Sequence, residues 1–224
     1  MKKVFSILMV LTLLFSLTAC GNHANNEKSS STTEQNSEAN SSPTEESNNP
    51  NRSSEPNDPD SEPTETGNKS LVVYFSWSGN TENVAKSIQS QTDSDLFEIV
   101  PQTPYSDDYN TVLDLAQEEQ RTGVHPAISG SIENIEQYDV IYVGYPNWWG
   151  DMPMILYTFF DTYDLSGKTI APFCTSGGSG LSGTVNEIKE LEPNAAVTDG
   201  LHIGSSSAAD PDNAVSGWLS EIGL

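Results

Sequence analysis

Between residues 70 and 224 the chain alternates short, continuously apolar runs with stretches whose apolar residues recur every three or four positions. Leu71-Val72-Val73-Tyr74-Phe75 and Val140 to Tyr145 contain no polar alternation, the pattern of strands buried on both faces. Leu96 to Val100 is a third run, carrying Glu98 and stopped at Pro101. Lys168 to Cys174 and Ala196 to Ile203 make five. A helix is predicted from Thr81, with Val84, Ala85 and Ile88 on one face and Asn80 as N-cap. Asp108 to Thr122 reads as a second, with Val112, Leu115 and Ala116 on one side and Gly123 as its stop. Met152 to Tyr163 follows, with Pro153 in its first turn, then Leu181 to Leu191 and Asp210 to Ile222. Strands alternating with helices predict an α/β fold with a five-stranded parallel sheet covered on both faces. Ligands of such sheets sit beyond the carboxyl ends of the strands, where the strand order reverses. The turns after Phe75, Tyr145 and Cys174 are therefore the ones to read for chemistry.

The first 69 residues follow different rules. Met1-Lys2-Lys3 precedes an apolar run from Val4 to Leu17, shorter than the roughly 20 residues that cross a bilayer, as in an export signal. The run ends in Leu17-Thr18-Ala19-Cys20-Gly21, which resembles the bacterial lipobox. That resemblance implies a signal peptide over 1–19, lipidation of Cys20 and an extracytoplasmic protein anchored to the cell membrane through its lipid. An ordinary secretory signal or an uncleaved anchor would share the first two features. From Asn22 to Lys69 the chain is almost wholly Ser, Asn, Glu, Thr and Pro, with no aromatic residue, Val, Ile or Leu. Such a segment buries too little apolar surface to offset its ordering entropy. Residues 20–69 are expected to form a disordered tether, spanning roughly 40 Å root-mean-square by coil statistics.

Residues 70–224 carry 22 Asp and Glu against only Lys86, Arg121, Lys168 and Lys189. Nucleic acid and anionic lipid headgroups are poor partners for such a surface, while basic patches on another protein fit it, as does charge kept for solubility. With Cys20 lipidated, Cys174 has no disulfide partner, and its apolar setting reads as a buried, inert thiol. His125 and His202 have no nearby Cys or carboxylate cluster, so a metal site is unsupported.

The first turn, Ser76-Trp77-Ser78-Gly79-Asn80-Thr81, opens a helix, where unpaired N–H groups and the helix dipole favour an anion. Ser76, Ser78, Asn80 and Thr81 add neutral donors, and Gly79 permits a positive φ. In this turn there is neither the Gly-Lys-Ser/Thr ending of a triphosphate loop nor Gly-x-Gly-x-x-Gly, so it would hold a terminal monophosphate through neutral donors, the other reading being a capped turn with no ligand. The second turn, Tyr145-Pro146-Asn147-Trp148-Trp149-Gly150, offers two adjacent indoles. They can present a flat face to a planar ring, or one of them can serve the core. Gly150 behind them allows a peptide to rotate. The third, Thr175-Ser176-Gly177-Gly178-Ser179-Gly180, combines small donors with glycines suited to a ring edge. It lacks the arginine of a phosphatase and the Gly-x-Ser-x-Gly of a serine hydrolase.

A phosphate turn, a planar-ring turn and a ring-edge turn together describe a flavin mononucleotide (FMN) pocket. Val72 to Ile88 resembles the flavodoxin signature along its length, Tyr145 to Gly150 is similar to the ring-contacting loop of the short flavodoxin-like branch, and Phe173 to Gly183 resembles the third loop. The resemblance implies a doubly wound sheet of order 2-1-3-4-5, bound FMN and electron transfer. By carry-over, Ser76, Ser78, Asn80 and Thr81, with Trp77 and Gly79 between them, would hold the phosphate. Trp148 or Trp149 would stack on the ring beside Pro146, Asn147 and Gly150, and Thr175, Ser176, Gly177 and Gly178 would line it. The third loop departs from the acidic, aromatic loop of electron-carrier flavodoxins, which leaves the redox partner proteins open.

The resulting expectation is an extracytoplasmic FMN electron carrier working between membrane or surface partners. Its rivals are an FMN-dependent reductase of quinones or similar small molecules and a lipoprotein that binds flavin without turning it over. The signal lacks the twin arginine of folded, cofactor-loaded export, and no Asp-Gly-x-Ser/Thr-Gly-Ala-Thr stretch offers an ester linkage. FMN is therefore expected to load after export and to be held non-covalently.

Overall fold

The computed structural model describes residues 69–224. The signal peptide, Cys20 and the tether up to residue 68 lie outside the described residues. In chain order the elements are β1 (Ser70–Tyr74), α1 (Asn80–Thr92), β2 (Asp95–Glu98), β3 (Val100–Pro101), α2 (Tyr109–Thr122), β4 (Ile128–Ser129), β5 (Val140–Pro146), α3 (Met154–Thr162), β6 (Thr169–Ser176), α4 (Thr184–Leu191), β7 (Ala196–Val197), β8 (Leu201–Gly204) and α5 (Asp212–Ile222).

The main sheet runs β2-β1-β5-β6, with β7 and β8 both on the far side of β6, and every pair is parallel. Five strand positions in the order 2-1-3-4-5 result, as the resemblance implied. Alternate residues of β1, with Phe75 just after it, feed two cores. Leu71, Val73 and Phe75 pack with Ile155, Leu156 and Phe159 of α3 and Ile188 of α4. Val72 and Tyr74 pack with Val84, Ala85 and Ile88 of α1 and Val215, Trp218 and Leu219 of α5. Covering on both faces is why the central strands show no polar alternation.

Several boundaries differ from the sequence expectation. Gly79, at φ 83°, is the N-cap of α1, so Asn80 is the first helical residue and not the cap. The ladder begins there because Asn83 N–H already donates to the Gly79 carbonyl at 3.1 Å. The Leu96–Val100 run leaves the sheet after Glu98, and Val100–Pro101 pairs antiparallel with Ile128–Ser129 as a separate ribbon. Proline at a short edge costs no ladder donor that the ribbon needs. The last strand is broken at residues 198–200 into β7 and β8. A Cβ on Gly200 would stand 2.9 Å from Val185 Cγ2, so the chain there approaches α4 too closely to carry a side chain. Helix α3 starts at Met154, two residues after the expected start, with Pro153 as its N-cap. Helix α4 starts at Thr184 and not Leu181, because Ser182 takes a left-handed φ of 51°. Leu115, expected on the apolar side of α2 with Val112 and Ala116, is 41% exposed.

Candidate functional site

The carboxyl ends of β1, β5 and β6 bring the three turns to one cavity of about 760 Å³. That is the size class of small-molecule and cofactor sites. From the first turn Trp77, Ser78 and Asn80 reach its wall. The second turn contributes Pro146, Asn147, Trp148, Trp149 and Gly150, and the third contributes Thr175, Ser176, Gly177 and Gly178. Ser76, Gly79 and Thr81 of the first turn are not among the residues that line the cavity. Among the described residues, no side chain that is charged at neutral pH lines the cavity, although the domain around it is strongly acidic.

The first turn leaves hydrogen-bond donors unpaired. Helix α1 runs for 13 residues and has no side-chain cap, so the amides of its first turn are left to an outside acceptor. Ser76 Oγ is buried and has no hydrogen-bond partner among the described residues. A buried hydroxyl of that kind is expensive unless something completes it. Thr81 is differently employed: its Oγ1 is 2.8 Å from Thr175 Oγ1, a buried bond that ties the first turn to the third across 94 positions. Trp77 is pinned by Nε1, which donates to the Ser106 carbonyl at 2.9 Å, and its ring lies 6.1 Å from that of Tyr109.

In the second turn the two tryptophans have separate jobs. Trp148 is half-buried and meets Phe75 and Tyr105 edge-on, with ring centroids 5.5 and 5.3 Å away. Its carbonyl accepts from Gln120 Nε2 of α2 at 2.8 Å. Trp149 is 53% exposed, and its Nε1 donates to the Leu113 carbonyl at 3.1 Å. Trp148 and Asp151 exchange two backbone hydrogen bonds, of 2.9 and 3.1 Å, around Trp149 at φ 54° and Gly150 at φ 86°. Two positive φ values make this a type I′ turn. Glycine suits the second position, but a tryptophan at the first is strained, and such strain collects where a side chain is needed for function. Asn147 holds the turn in place. Its N–H donates to the Thr175 carbonyl at 2.8 Å, its Nδ2 to the Gly180 carbonyl and Ser182 Oγ, and its Oδ1 accepts from Gly150 N–H.

The third turn rests on Ser176, whose Oγ accepts from Gly178 N–H at 3.3 Å and Gly180 N–H at 3.1 Å and lies 2.8 Å from His202 Nε2. Beneath it Cys174 is buried, and burial pushes its thiol up to about 12, so it is a neutral packing group. Tyr145, fully buried, donates to Thr184 Oγ1 at 2.8 Å, and burial holds its phenol well above the ordinary value. His125 lies elsewhere, paired with Asp161 at 2.6 Å.

Sequence reasoning missed one whole wall. Tyr109, Val112, Leu113 and Ala116 of α2 line the cavity, joined by Ser179 and by Ser205 at the end of β8. The four-residue spacing of Val112 and Ala116 was visible, but it marks only that a face is covered. Ser205 lay in a serine run with no distinguishing pattern.

The fold and this cavity define an open, doubly wound α/β protein with an uncharged cavity at its switch point. A family model described as flavodoxin matches residues 69–222, and the chain belongs to the flavodoxin family. It is 28% identical over 162 residues to flavodoxin 1 of Escherichia coli K12, covering 64% of this chain and 77% of that protein. Among solved structures, a candidate flavoprotein from Bacteroides eggerthii DSM 20697 is 34% identical with a TM-score of 0.63, covering 70% of this chain and 98% of that one. A flavoprotein from Lactobacillus acidophilus NCFM, solved in complex with FMN, is 27% identical with a TM-score of 0.55, covering 66% and 99%.

Proposed function

We propose that this chain binds FMN non-covalently in the cavity and serves as an electron carrier outside the cytoplasm, tethered to the membrane by lipid on Cys20. The observation that carries the cofactor assignment is the pairing of an uncapped α1 N-terminus with the unpartnered, buried Ser76 hydroxyl. Together they supply neutral donors to a phosphate without a lysine. FMN, when bound, supplies the redox chemistry through its ring system. The chain's own residues bind and orient: the first turn takes the phosphate, Trp149 and the α2 wall face the ring, and the third turn meets its edge. The relative from Lactobacillus acidophilus supports FMN over other flavins, being solved with it. The lipobox-like Leu17 to Gly21 supports the anchor, and the excess of carboxylates supports redox partners with basic patches.

Fluorescence quenching with FMN and riboflavin tests the site: FMN should bind more tightly, and equal affinities would remove the phosphate assignment. Cys20→Ala should release the protein from the membrane fraction, and retention there would sink the anchor. The apolar α2 wall of Val112, Leu113 and Ala116 favours a second reading, in which a quinone or similar planar molecule is reduced in the same cavity. Quinone-dependent reoxidation of the reduced protein, saturating with quinone, would support that reading over the carrier.

A further inference from the structure

His202 on β8 stands opposite Cys174 of β6 in the sheet register. It is exposed to solvent and does not line the cavity, yet its Nε2 lies 2.8 Å from Ser176 Oγ. A serine oxygen has two lone pairs and one hydrogen. Gly178 N–H and Gly180 N–H, both donating to that oxygen, occupy the two lone pairs. The serine hydrogen must then point at His202, and Nε2 must be the unprotonated acceptor. The hydrogen-bond count of the loop thus requires a neutral His202 with its proton on Nδ1. Ser176, Gly177, Gly178 and Ser179 wall the cavity, so a titratable ring on the surface completes the bonds that shape the cavity's third side.

We propose that His202 is a positioning residue for the third loop, and that its protonation loosens the loop and weakens flavin binding. The proposal rests on the reading of the cavity as an FMN site. When Nε2 gains a proton, the Ser176 oxygen faces three donors with two lone pairs, and its own hydrogen loses its acceptor. At least one of the two glycine amides is released. Losing one neutral hydrogen bond corresponds to about a fivefold change in binding. Histidine is the side chain that changes charge between pH 5 and 8.

Other ionisable groups lie on the elements around β8, and the His202 variants separate their effects from its own. Cys174, beside it on β6, is held up to about 12 by burial and stays protonated throughout. The remaining ones are Glu187, Lys189 and Glu190 of α4, Asp212 and Glu221 of α5, and Asp199 and Asp210 in the flanking turns. Among the described residues, none of these carboxylates forms an ion pair with His202.

The test titrates the full chain with FMN from pH 8 to pH 5, alongside His202→Gln and His202→Phe. Glutamine offers an amide oxygen that accepts without titrating, and phenylalanine offers nothing. Wild-type affinity should fall about fivefold on acidification. His202→Gln should stay flat near the alkaline wild-type value, and His202→Phe should be weak throughout. In the flavin-free full chain, the NMR amide signals of Gly178 and Gly180 should move with the His202 ring titration. A flat wild-type profile, or one that His202→Gln leaves unchanged, overturns the proposal. Glycine signals indifferent to the His202 titration overturn it as well. Failure to bind FMN at pH 8 would instead refute the site reading, and the glycine signals would then decide the role of His202 alone.

Discussion

Replacing Ser76 with alanine should stabilise the flavin-free protein and at the same time weaken its hold on FMN. Both effects come from one oxygen. Among the described residues, Ser76 Oγ is buried without a partner, a condition that costs about 1–3 kcal/mol. Alanine removes that oxygen and leaves only a small void, so a net gain of about 1 kcal/mol is expected. For a domain of this size that raises Tm by about 2–4 °C. With FMN present, the same hydroxyl donates to a charged phosphate, a bond worth about 1.5–3 kcal/mol. Its loss raises Kd for FMN by about 10- to 150-fold, while riboflavin, which has no phosphate, should bind as before. Thermal unfolding without flavin and fluorescence titration with the two flavins measure both halves. A lower Tm in the flavin-free variant, or an unchanged ratio of FMN to riboflavin affinity, would refute the reasoning.

The two tryptophans should separate cleanly. Trp148→Ala breaks the edge contacts to Phe75 and Tyr105 and should cost about 2 kcal/mol or more in urea denaturation. Trp149→Ala should leave stability within about 1 kcal/mol and lower flavin affinity by about 1 kcal/mol, read by fluorescence titration. Gly144→Ala should be strongly destabilising, by about 3 kcal/mol or more, because its Cβ would lie 2.1 Å from Phe173 Cζ in the middle of the sheet; circular dichroism on heating checks this. Glu119 is held above its ordinary carboxyl value of 4.5 by burial, opposed by the hydrogen bond it accepts from Tyr105 Oη at 3.0 Å. The folded state therefore favours the protonated form, so its contribution to stability is full below the ordinary carboxyl range and is lost as pH rises through the raised folded value. Glu119→Gln keeps an acceptor for Tyr105 and should flatten that fall in urea denaturation at successive pH values.

What residue pattern determined was whatever depends on near neighbours in the chain. Unbroken apolar runs at β1 and β5 announced burial on both faces, and hence a parallel sheet between two helix layers. Small donors and glycines at Ser76–Thr81 and Thr175–Gly180 marked the turns that carry hydrogen-bonding groups directly after buried strands. The expected α2 face shows the limit. Periodicity reported that Val112 and Ala116 are covered, but a covered residue packs equally well on a core or on a cavity wall. It could not tell that Leu115 would face outward.

Tertiary structure alone decided the remaining assignments, since each is a contact between distant positions. Trp148 and Trp149 are identical in type and adjacent in sequence. They part because a type I′ turn swings one toward Phe75 and Tyr105 and the other toward the Leu113 carbonyl. Thr81 binds Thr175 and leaves Ser76 as the buried hydroxyl without a partner among the described residues, a distinction that no local pattern of hydroxyl residues can make. His202 likewise stood in an ordinary strand-like run until the parallel register of β8 with β6 set it beside Ser176. Hydrophobic periodicity encodes how deeply a residue is buried. A hydrogen-bond partner depends on distance and direction in three dimensions, which only the assembled sheet supplies.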